Sequence, residues 1–234
     1  MAATVRFVGV GTFASGGTNA TITPGYPTAQ VGDLILLVVE TANQTVNAPS
    51  ASWTEIGIQA NTGSGAAGAA GAVRVAVFYR FFVNGLGASQ SVAGTWDHVT
   101  AQMVAFRNVD HIRPFNANAQ GTQATAATTF SCTAVTSTIP NALIVNCMGN
   151  GQDGAVTNGI AGEANANLTG FGTAFDRTIG TNTGGGVACF YGTKVTVGSS
   201  GNTTGTKTGT GASSQSAFNT LALRPNRRLM VMIE

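Results

Sequence analysis

The feature that most constrains this fold is the run V-R-V-A-V-F-Y-R-F-F at residues 73–82, the densest set of β-branched and aromatic residues in the chain. Alternate residues from Val73 to Phe81 form one wholly apolar face of an extended strand. The other face carries Arg74 and Arg80, so we expect it to be only half buried. A helix would spread these apolar residues around its whole circumference. The run therefore predicts a central strand of a β-sandwich, covered on its apolar face by a second layer.

Four other segments bear on the same fold. The run L-I-L-L-V-V at residues 34–39 is bounded by turn residues, which favours a strand covered on both faces. Residues 52–58 alternate with period two, and the threonine and valine content of residues 99–109 favours a strand over a helix. We expect residues 88–96 to form another strand. Residues 111–119 contain a proline and are expected to be a connection.

The second half of the chain restates the first. Matched segments follow in the same order in both halves: residues 32–38 with 141–147, 75–79 with 187–191, and 104–107 with 221–224. Low-complexity β-rich sequence could mimic such a repeat, but three matched anchors in one order favour a real one. Two four-strand units with one long connection each are typical of a double Greek key. We therefore predict an all-β fold, a jelly-roll-like β-sandwich from two internally repeated Greek-key units.

The expected organisation has three parts. Residues 1–23 form an N-terminal arm or a first strand, and residues 24–225 form the β-sandwich. The pseudo-repeats within the sandwich lie at about 24–118 and 119–225. Residues 226–234 form a C-terminal tail that begins with basic residues and continues with five apolar ones. An apolar end of this kind either completes the sheet or docks onto a partner.

The composition favours a protein that functions as a subunit of a larger assembly. Charged residues make up 9% of the chain, against roughly 25% in an ordinary soluble domain. A polar but uncharged surface loses little solvation energy when a partner covers it; the alternative is a secreted β-protein with no partner. The net charge of +2, without a basic patch among aromatics, argues against nucleic acid. We also recognise no signal peptide and no apolar run of the roughly 18 residues that a membrane span needs.

Acidic residues and histidines offer little sign of catalysis, so we predict that the chain is not an enzyme. Two Asp-His pairs occur, Asp97–His98 and Asp110–His111. Adjacent strand residues point to opposite faces, so we expect turn aspartates with exposed histidines. The sequence predicts no cofactor and no metal. Calcium could be held by carboxylates in the region rich in glycine and asparagine, but their spacing matches no known loop; these carboxylates are Asp153, Glu163 and Asp176.

The cysteines and tryptophans are also expected to be structural. Cys132, Cys147 and Cys189 are an odd, sparse set without metal-ligand spacing. They are expected to be free, mostly buried thiols in a protein made in the cytosol. Trp53 and Trp96 could stack on a sugar, but a tryptophan that fills a sandwich core is the preferred interpretation.

Five segments together resemble a family of tailed-bacteriophage virion proteins. They are P-G-Y with G-D-L-I-L within residues 24–36, S-W-T-E-I-G at 52–57, V-A-V-F-Y-R at 75–80, A-F-R-N-V-D at 105–110 and L-A-L-R-P at 221–225. Their order carries the resemblance, and Ser52 stands where a glycine is usual. The resemblance implies a β-sandwich structural component of a phage particle, without catalytic residues. It leaves head and tail locations open.

These features lead us to expect a capsid decoration (cement) protein of the virion, assembled in the host cytoplasm. It would bind the major capsid protein or other virion subunits as a homo-oligomer, a dimer or a trimer. The expected contact residues lie in the N-terminal arm and in the tail: Val5, Phe7, Arg227, Arg228, Leu229, Met230, Val231, Met232 and Ile233.

Two alternatives stay open. The first is a tail or fibre component that binds a host surface glycan through exposed aromatic residues in the loops at residues 61–71 and 149–172. Only Phe171 qualifies as such an aromatic residue. The second is a degenerate polysaccharide hydrolase, which would need a pair of carboxylates that the sequence does not place together.

Overall fold

A computed structural model describes residues 3–60, 73–152, 154, 159–180, 184–209 and 211–226. This part of the chain contains sixteen β-strands and no helix, which confirms the predicted all-β class. The strands pair in antiparallel fashion and form two large sheets and two small ones. Within the same residues, no helix is long and apolar enough to cross a membrane.

The first large sheet comes from the N-terminal half of the chain. Numbered in chain order, its strands are β1 (Arg6–Val10), β2 (Ala14–Gly16), β3 (Leu34–Thr41), β4 (Thr54–Ala60), β5 (Arg74–Phe81) and β6 (Val99–Arg107). Their order across the sheet is β1-β6-β3-β5-β4, and β2 also pairs with β6. The strand predicted at residues 73–82 is β5, which lies between β3 and β4.

The second large sheet and the small sheets come from the C-terminal half. The large sheet has the order β12-β13-β10-β16-β7, with β7 (Phe115–Ala127), β10 (Ala142–Asn150), β12 (Thr169–Ile179), β13 (Gly185–Lys194) and β16 (Ser214–Leu223). A three-stranded sheet has the order β11-β15-β8, with β8 (Thr129–Cys132), β11 (Ile160–Ala164) and β15 (Thr203–Lys207). The remaining two strands, β9 (Thr136–Ser137) and β14 (Gly198–Ser199), pair with each other.

The two large sheets have the same strand order. Strands β1, β6, β3, β5 and β4 of the first sheet occupy the positions of β7, β16, β10, β13 and β12 in the second. The three pairs of sequence segments that indicated a repeat lie on corresponding strands, namely β3 with β10, β5 with β13, and β6 with β16. This correspondence supports an internal duplication. The boundary predicted at residues 118 and 119 falls inside β7.

The finer jelly-roll and Greek-key details of the prediction are not confirmed. Each half of the chain keeps its strands in its own large sheet. The four strands that follow β1 or β7 in each large sheet have the spatial order 4-1-3-2, whereas a Greek key has the order 4-1-2-3. The most apolar strands, β3 and β10, lie at the centre, and the less apolar β4 and β12 lie at an edge. This order places the most apolar strands where neighbours flank them on both sides, which favours burial of their apolar surface.

The two large sheets pack face to face around one shared core. Alternate residues of the central strands enter this core from both sides, among them Leu34, Leu36, Val38, Val75, Val77, Leu143, Val145 and Cys147. The outer face of the first sheet is covered by loops that carry Trp53 and Trp96. The outer face of the second sheet packs under the small sheet β11-β15-β8. Strand β3 is therefore buried along both faces, as its apolar run predicts.

The prediction for strand β5 was right for its inward face and wrong for its outward face. Its inward face, which includes Val75 and Val77, lies in the shared core as expected. The opposite face is more deeply buried than expected, because Phe78 is fully buried beneath the outer loops. Arg74 and Arg80 remain half buried at the two ends of this face.

Two other segments differ from the prediction. Residues 88–96 form no strand and contribute the isolated bridges Ile22–Val92 and Gly25–Ser89. Ala88, Gln90 and Trp96 also make single backbone hydrogen bonds, to Tyr26, Pro24 and Asn19, but these bonds do not extend into a ladder. The predicted connection at residues 111–119 instead contains the start of β7.

The shared core predicts that the two halves unfold together, and the chain carries one natural probe in each half. Trp53 and Trp96 lie in the first half, whereas Cys132, Cys147 and Cys189 are buried free thiols of the second half. In a urea titration, tryptophan fluorescence and thiol labelling should therefore give the same midpoint. Two separate midpoints would show that each sheet is stable by itself.

A cavity substitution provides the matched test of this coupling. Leu36→Ala, in the first sheet, should cost about 2–5 kcal/mol of unfolding free energy and should lower both midpoints equally. Val197 is 58% exposed. Val197→Ala should change the free energy of unfolding by less than about 0.5 kcal/mol and should leave both midpoints nearly unchanged.

Candidate functional site

Strand β7 is the longest strand of the described chain and forms one edge of the second large sheet. Its thirteen residues, F-N-A-N-A-Q-G-T-Q-A-T-A-A, include no charged residue and no proline. It pairs with β16 in unbroken register from Ala117 to Gln123. Asn118, Gln120 and Thr122 are exposed along this stretch. An edge strand presents unpaired backbone N–H and C=O groups to its surroundings.

The other three edges of the large sheets carry features that oppose strand pairing. Strand β1 has five residues, and its register shifts between Phe7 and Gly9. Strand β4 contains Glu55, and its register shifts next to this residue. Strand β12 contains Asp176 and Arg177, and its register shifts twice. Charges, bulges and short length are the usual means of protecting an edge. Strand β7 also has a register shift towards each end, but it carries no charge and is regular over residues 117–123, which makes it the candidate interaction edge.

A groove of about 600 Å³ lies beside β7 and crosses the exposed face of the small sheet. The described residues that line it are all uncharged; they are Thr122, Gln123, Thr129, Phe130, Ser131, Gly162, Thr204, Gly205 and Thr206. Strand β8 alternates, so Phe130 and Cys132 are buried whereas Thr129 and Ser131 are exposed. The groove therefore offers mainly hydroxyl groups, one amide and backbone atoms.

A buried cluster of ionisable groups lies at one end of the interface between the large sheets. His98 Nε2 lies 3.0 Å from Glu40 Oε1, and Thr100 Oγ1 donates a hydrogen bond of 3.0 Å to Glu40 Oε2. The Asp97 carboxylate lies 3.6 Å from His98 Nδ1. Burial by itself would lower the pKa of His98, but the carboxylates of Glu40 and Asp97 raise it to about 9. Burial raises the pKa of Glu40, against the opposing effect of His98 and Thr100.

Two glycines of the opposite sheet make room for this cluster. A Cβ atom on Gly185 would lie 2.4 Å from both Glu40 Oε2 and His98 Nε2. A Cβ atom on Gly149 would lie 3.1 Å from Glu40 Cγ. Because Glu40 is 0% and His98 2% exposed, no substrate atom reaches either group in this conformation. The cluster therefore links β3 to the start of β6 within the first sheet, packs against glycines of the second sheet, and offers no accessible acid or base.

The prediction of an exposed histidine was wrong for His98 and right for His111. In the second pair, Asp110 Oδ1 accepts hydrogen bonds from the backbone N–H groups of Ile112 and Arg113, as a turn aspartate does. His111 is exposed and stacks on Phe81 with ring centroids 4.4 Å apart. Burial opposes the shift, but the two backbone N–H groups lower the pKa of Asp110.

Two further ionisable groups are buried beneath the small sheet. Lys207 Nζ donates hydrogen bonds to the backbone carbonyl of Ser214 and, at 3.0 Å, to Ser216 Oγ. Burial lowers the pKa of Lys207 to about 8. Burial likewise raises the pKa of Asp176 to about 6, although the Ile160 N–H donates to its carboxylate at 2.7 Å. Sequence reasoning missed Lys207, because a lysine in the pattern T-G-T-K-T resembles a loop residue.

The described residues contain no cluster of ligands that would support the calcium hypothesis. Asp153 lies outside the described residues. Glu163 accepts a hydrogen bond from Thr173, and Asp176 is bonded to the Ile160 backbone. Among the described side chains, no group of three or more His, Cys, Asp and Glu residues could hold a metal ion.

The predicted partner-contact residues fall into two groups. Val5 is 2% exposed and lies in the shared core. Phe7 is half buried in β1 and stacks on Tyr191, with ring centroids 4.8 Å apart. In this fold, neither side chain offers a free surface, and their contact role stays a prediction. The other group lies outside the described residues: Arg227, Arg228, Leu229, Met230, Val231, Met232 and Ile233.

The aromatic and thiol residues singled out by sequence are packed. Trp53 is 4% and Trp96 2% exposed, so both fill the core as predicted. Phe171 is half buried against Phe190, with ring centroids 6.4 Å apart, and is not a free platform for a sugar. The three cysteines are free and buried, as predicted; Cys189 lies opposite Cys147 in the β10–β13 pair.

Comparison with known proteins gives no relative for this chain: no family model, no curated protein and no solved structure matches it. What bears on its function is therefore the chemistry of its exposed edge, its groove and its buried groups.

The buried cluster predicts a strong effect of removing one partner. His98→Ala should destabilise the protein by roughly 3–5 kcal/mol, because Glu40 would be left buried without its partner. The double variant His98→Leu with Glu40→Leu removes both charges and should recover much of this loss. Chemical denaturation of the wild type and these two variants shows whether the loss comes from the unpaired carboxylate. Equal losses in the single and double variants would contradict the paired role.

The same cluster predicts a pH dependence of stability. Folding raises the pKa of His98 from 6.5 to about 9, so the folded state binds the proton more tightly. The stabilisation is complete below pH 6.5 and is lost as the pH rises through about 9. Lys207, whose pKa is lowered to about 8, acts in the opposite direction above that pH. Between pH 6.5 and 8 the wild type should therefore lose stability, and the double variant His98→Leu with Glu40→Leu, which lacks both ionisable groups, should lose clearly less.

Proposed function

We propose that this chain is a non-enzymatic structural protein of a tailed-phage particle. In this proposal it acts as a capsid decoration (cement) protein, which binds and stabilises the assembled head. The observation that carries the proposal is the uncharged edge of β7, which is in regular register over residues 117–123. The sequence resemblance supplies the class of particle.

Strand addition at β7 gives the assembly a physical mechanism. An extended segment of a neighbouring subunit can pair with a free edge through backbone hydrogen bonds. Each such bond contributes about 0.5–1.5 kcal/mol net, and β7 is in regular register over residues 117–123. Amide and hydroxyl side chains flank this stretch, so covering it desolvates no charge.

The partner is the major capsid protein, another virion subunit or a second copy of the chain. Antiparallel pairing of β7 with β7 of a second copy would place a twofold axis between the subunits and give a dimer. A standard interface buries roughly 800 Å² per partner, so several contacts per subunit would hold a decoration protein firmly on its shell.

The distribution of ionisable groups supports binding rather than catalysis. The strongly perturbed groups Glu40, His98, Asp176 and Lys207 are each less than 5% exposed. The described residues that line the accessible groove beside β7 are all uncharged. General acid and base catalysis needs a titratable group within hydrogen-bonding reach of the substrate, and these two sets of residues do not coincide.

A second candidate function keeps one supporting observation. A tail or fibre component that binds a host surface glycan would use an accessible, uncharged groove of this kind. Phe171, the aromatic residue expected to bind the glycan, is packed against Phe190. The groove is therefore a different site from the loop site predicted by sequence.

The edge hypothesis predicts the effect of placing charge on β7. Asn118 and Gln120 are exposed, so Asn118→Lys with Gln120→Lys should leave the fold intact and block strand addition. Co-sedimentation with heads assembled without this chain should fall at least about tenfold, which corresponds to 1.4 kcal/mol. Circular dichroism and the urea midpoint check the fold.

The matched control keeps the same two positions neutral. Asn118→Ser with Gln120→Thr should bind heads as the wild type does. In a parallel arm, deletion of residues 227–234 tests the predicted tail contacts, and loss of occupancy there alone would assign binding to the tail. Undiminished head binding by the lysine variant contradicts the role of β7. A wild-type chain that binds no heads contradicts the decoration function itself.

A further inference from the structure

We propose that the groove between β7 and the small sheet is a binding site for a neutral saccharide. The site is formed by the outward-facing hydroxyls of β8 and β15, with Thr122 and Gln123 of β7 along one side. Its volume of about 600 Å³ lies within the roughly 300–1,000 Å³ of ordinary ligand sites.

The hydroxyl groups form a regular array, because strand register fixes their positions. Thr129 lies directly opposite Thr206, and Ser131 lies directly opposite Thr204, in the antiparallel pair β8–β15. All four are exposed, whereas their neighbours along each strand alternate toward the interior. Opposed residues are about 5 Å apart, and successive outward residues along a strand are about 6.5 Å apart. The array therefore has the dimensions of a small number of sugar rings.

Most of these hydroxyls are available to a ligand. Within the described part of the chain, the side chains of Thr129, Thr204 and Thr206 make no hydrogen bond that would occupy them. Ser131 Oγ accepts a bond of 2.9 Å from Asn202 Nδ2, which leaves its own O–H free to donate. A hydroxyl both donates and accepts, so each can match a sugar hydroxyl in either sense.

The neighbouring residues hold the array open. Gly162 on β11 has a φ of +63° and no atom within 4 Å of the position that its Cβ would occupy, so nothing projects over the groove there. On the opposite side, Gln123 Nε2 donates a bond of 2.8 Å to the backbone carbonyl of Thr129. This bond fixes the position of β7 relative to β8 and shapes the groove wall.

The chemistry of the lining selects a class of ligand. None of the described residues that line the groove is charged, so they offer no ion pair to a phosphate, a sulfate or an acidic sugar. The one large apolar residue, Phe130, is 2% exposed. Protein interfaces depend on exposed aromatic or aliphatic anchors at their centre, and this groove has none. A neutral, hydroxyl-rich ligand is the class that fits a neutral, hydroxyl-rich surface.

The inference does not require the decoration function, since a saccharide site could serve a head or a tail protein. The test begins with an array of neutral and acidic oligosaccharides, probed with fluorescently labelled full-length protein. The wild type should bind at least one neutral oligosaccharide and should prefer it to acidic ones. The same oligosaccharide is then titrated against each variant in solution.

The deciding variant is Thr129→Val with Thr206→Val, which removes two opposed hydroxyls and keeps the side-chain shape. Loss of two hydrogen bonds of about 0.5–1.5 kcal/mol each should weaken binding roughly tenfold or more. Thr196 is exposed outside the groove, and Thr196→Val should bind as the wild type does. Equal urea midpoints for the three proteins would show that folding is unaffected.

Three results would overturn the proposal: a wild type that binds no neutral oligosaccharide, one that prefers acidic glycans, or unchanged affinity in the double valine variant. Head binding separates this proposal from the decoration function. The double valine variant should still co-sediment with heads, and the lysine variant of β7 at residues 118 and 120 should still bind the saccharide. Failure of either proposal therefore leaves the other standing.

Discussion

The fold depends on apolar contact between two sheets that come from separate halves of the chain. Each sheet has a central strand that is buried on both faces, β3 in one and β10 in the other. Neither could remain exposed, because removing apolar surface from water is the main favourable term in folding. The inward faces of these strands meet in one core, and their outward faces need separate covers. Loops cover the first sheet, and the small sheet β11-β15-β8 covers the second.

The buried charge cluster follows from this arrangement and from a difference between the halves. Glu40 and Gly149 each lie six residues after a corresponding leucine, Leu34 and Leu143. Glu40 in the first half therefore packs against Gly149, which occupies the matching position in the second half. A side chain at position 149 would press on Glu40. A buried carboxylate is tolerable only with a partner, and His98 supplies it. The glycine at the matching position of one half therefore makes room for the carboxylate of the other.

Sequence periodicity predicted the parts of the fold that packing determines. The apolar run at residues 34–39 and the alternation at residues 73–82 are strong signals, because burial on two faces or one leaves a direct imprint on residue type. Strand β7 left no such imprint. It consists mostly of Asn, Ala, Gln and Gly, and asparagine, alanine and glycine are depleted in strands. Pairing with β16 imposes the extended conformation, so tertiary context overrode local preference. The groove was equally hidden, because it requires the register of β8 against β15.

The surface of the protein is poorer in charge than its composition indicates. Of the nine acidic residues of the chain, Asp33, Glu40 and Asp176 are buried, and so is Lys207. Arg107 forms a two-bond ion pair with Asp33, at 2.8 and 2.7 Å, which uses another charge internally. Soluble monomers normally keep many surface charges of both signs to limit association. This chain buries several of its few charged residues and leaves a thirteen-residue edge strand without any. Its surface is therefore suited to being covered by neutral partners.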